Sequence, residues 1–254
     1  MDFSALYDEH PEYIARRAPG SFAQAQIDLE VRFFKLPFLM ALLPPRTALA
    51  SVMEIGCATG ELLAAIPVAP GGRKWGVDVS AENIAAARAR FAQIDFHAGD
   101  FRDLPVTPFD AVVMSDVLEH VPDDVAFLQQ AAQWGKWVLI NLPLEDNWLN
   151  RNRNYGPDDA SGHLRKYALQ EGLALIDRAG LELLAYQQVW SHETPLEPAR
   201  RALRQQMHGA AFSGNWLARK LRAALFYGAC SIRPLGRRLF ASNLFALARA
   251  KSVS

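Results

Sequence analysis

Apolar residues along this chain follow two spacings in turn. From residue 51 onward, short apolar runs of strand length alternate with stretches that repeat every three to four positions. Val52, Met53 and Ile55 form the first short run, and Gly56 ends it. Glu61-Leu62-Leu63-Ala64-Ala65-Ile66 follows with helical spacing. Extended along the chain, the pattern predicts strands over 51–56, 73–78, 94–97, 109–115 and 136–142, and helices over 60–66, 80–90 and 123–134. Ser80 is placed to cap its helix, and Pro122-Asp123-Asp124 opens the next with acids at the positive end. Leu169, Leu173, Leu175 and Ile176 predict a further helix, stopped by Gly180, and residues 181–190 a sixth strand. Strands alternating with helices predict an α/β fold with a doubly wound, mostly parallel sheet, whose ligands sit at the carboxyl ends of the strands.

The flanks read differently. Ile27, Val31, Phe34, Leu36, Phe38, Leu39, Leu42 and Leu43 recur near helical spacing until Pro44-Pro45 stops them. Phe34 and Phe38 are expected in the core, and Arg32 as a solvated helix charge. Tyr7, His10-Pro11 and Tyr13 predict an earlier short helix or lid. Residues 143–167 form a long polar stretch at the ligand edge, and a loop of that length in a compact domain is usually functional or disordered. Beyond the sixth strand, Trp216, Leu217, Leu221, Ala224, Leu225 and Phe226 keep helical spacing, with Arg219, Lys220 and Arg222 off that face.

Composition adds an asymmetry that the zero net charge hides. Residues 1–190 carry 16 Lys/Arg against 25 Asp/Glu, whereas residues 191–254 carry 11 against two. The basic end suggests an anionic partner. With half its 254 residues hydrophobic, the chain can bury a sizeable core and is not disordered. Its two cysteines, Cys57 and Cys230, have no metal-type spacing, so a reducing cytoplasm is expected. No signal peptide and no uncharged apolar run of spanning length is visible.

The first strand and its turn carry the chemistry. Strand, small-residue turn and helix form a place where a nucleotide can approach backbone. Asp78 ends the second strand, 22 positions after Gly56, where a ribose diol is usually held. No Gly-Lys-Ser/Thr ending marks a phosphate loop, and Ala58 stands where a dinucleotide site needs its second glycine. Glu54 would repel phosphate and suit a positively charged group. The pattern therefore fits an adenosine ligand that has an amino group and no phosphates. S-adenosylmethionine (SAM) has those properties.

Met53-Glu54-Ile55-Gly56-Cys57-Ala58-Thr59-Gly60 resembles motif I of the class I SAM-dependent methyltransferases. The resemblance continues through Gly76-Val77-Asp78-Val79-Ser80, Gly99-Asp100-Phe101 and the run from Phe109 to Val121 that contains Ser115, Asp116, Glu119 and His120. It covers roughly residues 50–190 and implies a seven-stranded Rossmann-like sheet. The last strand, near residues 243–251, would run antiparallel beside strand six. One methyltransferase domain over 1–254 is then expected: an N-terminal helical cover (1–47), a SAM-binding core (48–190 and 242–254) and a basic helical insertion (191–241).

The resemblance also assigns roles. Glu54 faces the methionine amino group; Gly56, Cys57, Ala58 and Gly60 form the loop; Asp78 takes the ribose hydroxyls; Asp100 and Phe101 meet the adenine; Val79 and Ser115 complete the cofactor-binding set. His120 has three open readings. It is a general base, or joins Asp116 and Glu119 around a divalent cation, or orients its loop. His163, in Gly162-His163-Leu164-Arg165-Lys166-Tyr167, is a second candidate base. The implied reaction moves a methyl group to a hydroxyl or amine of a small-molecule acceptor. Nucleic acid is not expected, since no Asn-Pro-Pro-Tyr-type element follows strand four. A non-catalytic SAM-binding protein is the alternative, as is an enzyme acting on a lipid-linked, saccharide or quinone-type acceptor at a membrane. Residues 191–241 would then lie on an anionic membrane surface, or else form a hairpin on the acidic core.

Overall fold

A computed structural model describes residues 7–148, 150–156, 159, 161–208, 221, 224–225, 228, 232 and 239–251. Its centre is a seven-stranded sheet: β1 (Ser51–Ile55), β2 (Arg73–Asp78), β3 (Asp95–Ala98), β4 (Phe109–Ser115), β5 (Gly135–Leu144), β6 (Leu181–Val189) and β7 (Ser242–Ala250). The order is β3-β2-β1-β4-β5-β7-β6, with β7 antiparallel to both its neighbours and the other pairs parallel. The chain therefore reverses direction across the sheet at β1 and β4, which opens a crevice at their carboxyl ends.

Alternation along each strand separates two cores. Met53 and Ile55 of β1 join Val112, Met114, Val138 and Ile140 on one face. The helices α6 (Asp124–Ala131) and α7 (Leu169–Arg178) cover that face with Phe127, Leu128, Leu175 and Ile176. Val52 joins Ala111, Val113, Leu139 and Phe245 on the other. There α4 (Glu61–Ala65) and α5 (Ala81–Arg90) pack Leu62, Leu63, Ile84 and Ala87. Glu54 shares the Val52 side by its period-two position.

The predicted strands at 73–78 and 109–115 are found with those bounds, and the ends of the other predicted elements lie within three residues of expectation. β5 runs on to Leu144 because Pro143 and Leu144 pair with Asn243 and Ser242 of β7. The helix expected over 123–134 closes in a 3-10 turn at Ala132–Trp134.

The N-terminal cover departs more. A short helix, α1 (Pro11–Arg17), precedes α2 (Phe22–Glu30). The next five residues, Val31–Lys35, form a π turn before α3 (Leu36–Met40). Pro37 accounts for the break in register. It has no N–H to return, and its ring crowds the carbonyl one turn back, so a wide turn precedes it. Leu36 N–H reaches back five residues to the Val31 carbonyl. Phe34 is buried and packs edge-on against Phe245, while Arg32 is exposed, as expected.

Between β6 and β7 lie a 3-10 turn at Ser191–Glu193 and α8 (Leu196–His208). Arg200 of α8 pairs with Glu30 of α2, fastening that helix to the cover. Leu221, Ala224 and Leu225 are exposed. Trp216, Leu217, Phe226, Tyr227 and Cys230 lie outside the described residues, as do the basic positions Arg219, Lys220, Arg222, Arg233, Arg237 and Arg238. Among the described residues, no helix is long and apolar enough to cross a membrane.

Candidate active site

The loop after β1 is held open by backbone geometry. Gly56 N–H and Cys57 N–H both donate to the Val77 carbonyl, at 2.8 and 3.1 Å. Gly56 and Gly60 take left-handed conformations with φ of 72° and 86°. A Cβ on Gly56 would sit 2.6 Å from Val117 Cγ2, and one on Gly60 2.7 Å from Phe96 Cζ. Ala58 also turns left-handed, with φ of 46°. Its N–H donates to Asp78 Oδ2 at 2.8 Å, a bond that repays the strain of a non-glycine residue there. Asp78 Oδ1 accepts from Ser80 N–H at 2.9 Å and Asn83 Nδ2 at 3.4 Å. Burial pushes its carboxyl up against the pull of these bonds.

A cavity of about 1170 Å³ opens above this loop. Single small-molecule pockets run from roughly 300 to 1,000 Å³, so two ligands fit side by side. Every residue singled out for donor binding lines it except Gly60, which stands behind at the start of α4. Val79 is exposed, an apolar surface available to a flat ring. Phe101 is buried, edge-on to Phe127 at 5.0 Å between centroids, so its role is largely core packing. Asp100 lies in an ion pair with Arg102, which holds its carboxyl low against partial desolvation. Burial pushes the Cys57 thiol up, which suits a small apolar filler and not a nucleophile.

Glu54 is the informative carboxyl. It is 3% exposed, and its Oε2 has no hydrogen-bond partner. Burial raises it to about 8, with Lys35 the largest opposing influence. Lys35 is the residue that periodicity missed. The π turn directs it into the cavity, where its ammonium meets Asp116 Oδ2 at 2.7 Å. Asp116 is left-handed, with φ of 58°, and Asn141 Nδ2 donates to both its oxygens at 3.2 Å. Ser115 Oγ accepts from the same Asn141 nitrogen at 2.9 Å. The only signal in the sequence was Pro37, two residues on.

The far end of the cavity gathers three groups from two loops. His120 Nδ1 lies 3.1 Å from the Gly162 carbonyl. A carbonyl only accepts, so Nδ1 carries the proton and Nε2 is left with a lone pair. Burial, then neighbouring His163, pushes His120 down to about 4. The two imidazoles meet edge-on, 4.7 Å between centroids. His163 Nδ1 is 2.7 Å from Glu145 Oε2. Glu119 is 1% exposed with no hydrogen-bond partner for either oxygen, and burial raises it strongly. Ligand atoms of Glu119, His120 and His163 all lie within 4.8 Å of one another, close enough to hold a metal ion. Asp116, expected in such a set, is engaged by Lys35 instead.

The cover closes over both ends. Ser80 donates to Asp8 beside the Asp78 loop, and Arg17 donates to Asn83 Oδ1 at 3.3 Å. Tyr7 stands edge-on to His120 at 6.0 Å, and Tyr13 OH donates to the Ser161 carbonyl at 3.3 Å.

A switch-point crevice with a glycine-bounded loop, a ribose-type acid and no phosphate cradle defines a nucleoside-binding protein of the doubly wound class. Residues 26–186 match the family model described as a methyltransferase domain, and the chain belongs to that family. It is a SAM-dependent methyltransferase of the class I fold. A ubiquinone biosynthesis O-methyltransferase of Bradyrhizobium sp. (strain ORS 278) is 27% identical over 61% of this chain and 71% of that relative. Another of the same name, from Rhodopseudomonas palustris (strain TIE-1), is 35% identical over 38% of this chain and 41% of its own length. In structure, the chain is similar to Haemonchus contortus phosphoethanolamine N-methyltransferase 2 in complex with SAM. The TM-score is 0.63 at 18% identity, covering 99% of this chain and 60% of that one.

Proposed function

We propose that the enzyme methylates a hydroxyl group of a small-molecule acceptor bound between the Asp78 loop and the His120–His163 pair. One observation carries this reading: a single cavity joins the donor-type loop to two imidazoles and is large enough for both partners. Relatives named for ubiquinone O-methylation favour a hydroxyl over an amine. Bound SAM would supply an electrophilic methyl group on a sulfonium. Glu54 would hold its ammonium, Asp78 the ribose hydroxyls, and Val79 one side of the adenosine, with Asp100 at the adenine edge. His163, whose Nδ1 is committed to Glu145, presents Nε2 to take the acceptor proton. Tyr7 and Tyr13 limit water access from the cover side.

Two variants test the two halves. Asp78→Ala lowers S-adenosylhomocysteine affinity by about 1–3 kcal/mol in calorimetry, the scale for unpaired polar groups. His163→Ala lowers turnover in an acceptor screen read by S-adenosylhomocysteine production, with donor affinity unchanged. Full turnover by both His163→Ala and His120→Ala removes the base.

A second reading places a divalent cation on Glu119, His120 and His163. The two partnerless oxygens of Glu119 favour it, because a buried carboxylate needs a compensating charge. Mg²⁺, Mn²⁺ and Zn²⁺ would then raise the melting temperature of chelator-stripped protein, and Glu119→Gln would abolish the rise. No rise with any of the three removes this site.

For the basic segment 191–241 we propose a cap over the acceptor side that also docks on anionic membrane surfaces. Its support is the charge of that segment and the place of Leu196 and Arg200 on the cavity wall.

A further inference from the structure

The polar loop after β5 is wound around one guanidinium. Arg153 donates through Nε and Nη2 to the two oxygens of Asp159, at 2.8 and 2.9 Å. This is the bidentate fork that only arginine makes. Its third nitrogen, Nη1, donates to Glu145 Oε1 at 2.7 Å. The other oxygen of Glu145 receives His163 Nδ1, also at 2.7 Å. Asp159 Oδ1 closes the ring by accepting from Ser161 N–H at 2.9 Å and His163 N–H at 3.2 Å. Asp159 is 7% exposed, and Arg153 holds its carboxyl far below the usual range against the cost of burial.

His163 is thus held twice, by backbone through Asp159 and by its ring through Glu145, and both holders are fixed by Arg153. Arg153 is not among the residues that line the cavity. We infer that Arg153 is the positioning residue that sets the ring orientation and tautomer of His163, acting through Glu145. With Nη1 on Oε1, the carboxylate is turned so that Oε2 faces the imidazole. A carboxylate accepts only, so the ring proton stays on Nδ1 and the lone pair stays on Nε2, toward the cavity. Without Arg153, Glu145 can rotate away and both tautomers become populated. The inference deepens the proposed function, resting on His163 as the group that meets the acceptor. It serves equally if that lone pair binds a cation.

The test reads the ring itself, not turnover. In protein with ¹⁵N-labelled histidine, at a pH where His163 is neutral, the wild type should show separate protonated Nδ1 and unprotonated Nε2 signals for His163. Arg153→Gln should bring the two signals toward one averaged position, and Glu145→Gln should do the same. The double variant should add nothing to either, as one relay requires. S-adenosylhomocysteine affinity, read by calorimetry, should remain within about twofold in each, showing an intact donor half. If Arg153→Gln does not fold, Arg153→Lys, which keeps the charge and loses the fork, is read in the same way. An unchanged His163 signature in the arginine variant overturns the inference. So does a change there with none in Glu145→Gln. Failure of the base reading has a different mark: His163→Ala keeps full turnover while the nitrogen signals still respond to Arg153.

Discussion

Burial favours the protonated form of Glu54. In the free protein, burial keeps its carboxyl near 8, above the ordinary 4.5. Stability contributed by this group is therefore full below about pH 4.5 and lost as pH climbs through about 8. On the proposed seating, a SAM ammonium against Glu54 would reverse the preference and expel the proton. At pH 7 binding should release about one proton, seen in calorimetry as a heat that depends on the ionisation enthalpy of the buffer. Donor affinity should rise between pH 5 and 8. A buffer-independent heat at pH 7 would place the ammonium elsewhere. Glu54 was legible because its charge excluded phosphate ligands at the level of the sequence. Lys35 was not, because its direction depends on a single wide turn that periodicity does not encode. Glu145, Arg153 and Asp159 were hidden for another reason. They lie eight and six residues apart in an irregular loop, and only the folded chain makes one guanidinium their common partner.

At the scale of elements, the β1–α4 loop is the most constrained. Gly60 needs both a left-handed φ and the absence of a side chain facing Phe96. Gly60→Ala should destabilise the fold by about 1–3 kcal/mol, since the ring is buried and has little room to yield. The melting temperature should fall by several degrees, at roughly 2–4 °C per kcal/mol for a protein of this size. An unchanged melting temperature would mean the loop has another conformation of equal energy. The strands were the readable part of the molecule. β1, β2 and β4 are short apolar runs bounded by Gly, Asp or Ser, and a buried parallel strand leaves few other options. The ends of β5 were less readable, because its last residues are set by β7, which lies about a hundred residues further on.

For the whole molecule, the charge division sets the expectation. The first 190 residues carry an excess of nine acids and the remainder an equal excess of bases. Part of that attraction is internal, since Arg200 pairs with Glu30, Arg249 with Glu182 and Lys251 with Asp177. Arg201 and Met207 of α8 are both exposed. The protein should float with vesicles containing anionic lipid at low salt and detach as the salt shortens the screening length toward a few ångströms. Absence from the floating fraction at low salt removes the membrane proposal.

The position of β7 has a consequence during synthesis. Among the described residues, β6 hydrogen-bonds to β7 alone, and β7 also supplies one edge of β5. On the ribosome, β6 emerges more than 50 residues before β7. At about 5–20 residues per second that is roughly 3 to 10 seconds. Throughout that interval a nine-residue strand has two open edges, and β5 has one. Unpaired edges recruit other strands, so the nascent chain should bind holding chaperones until Ser242–Ala250 pairs with its two neighbours, and a chain ending before Ser242 should stay bound in a pull-down. Of the seven strands, β7 is the one that joins β5 to β6.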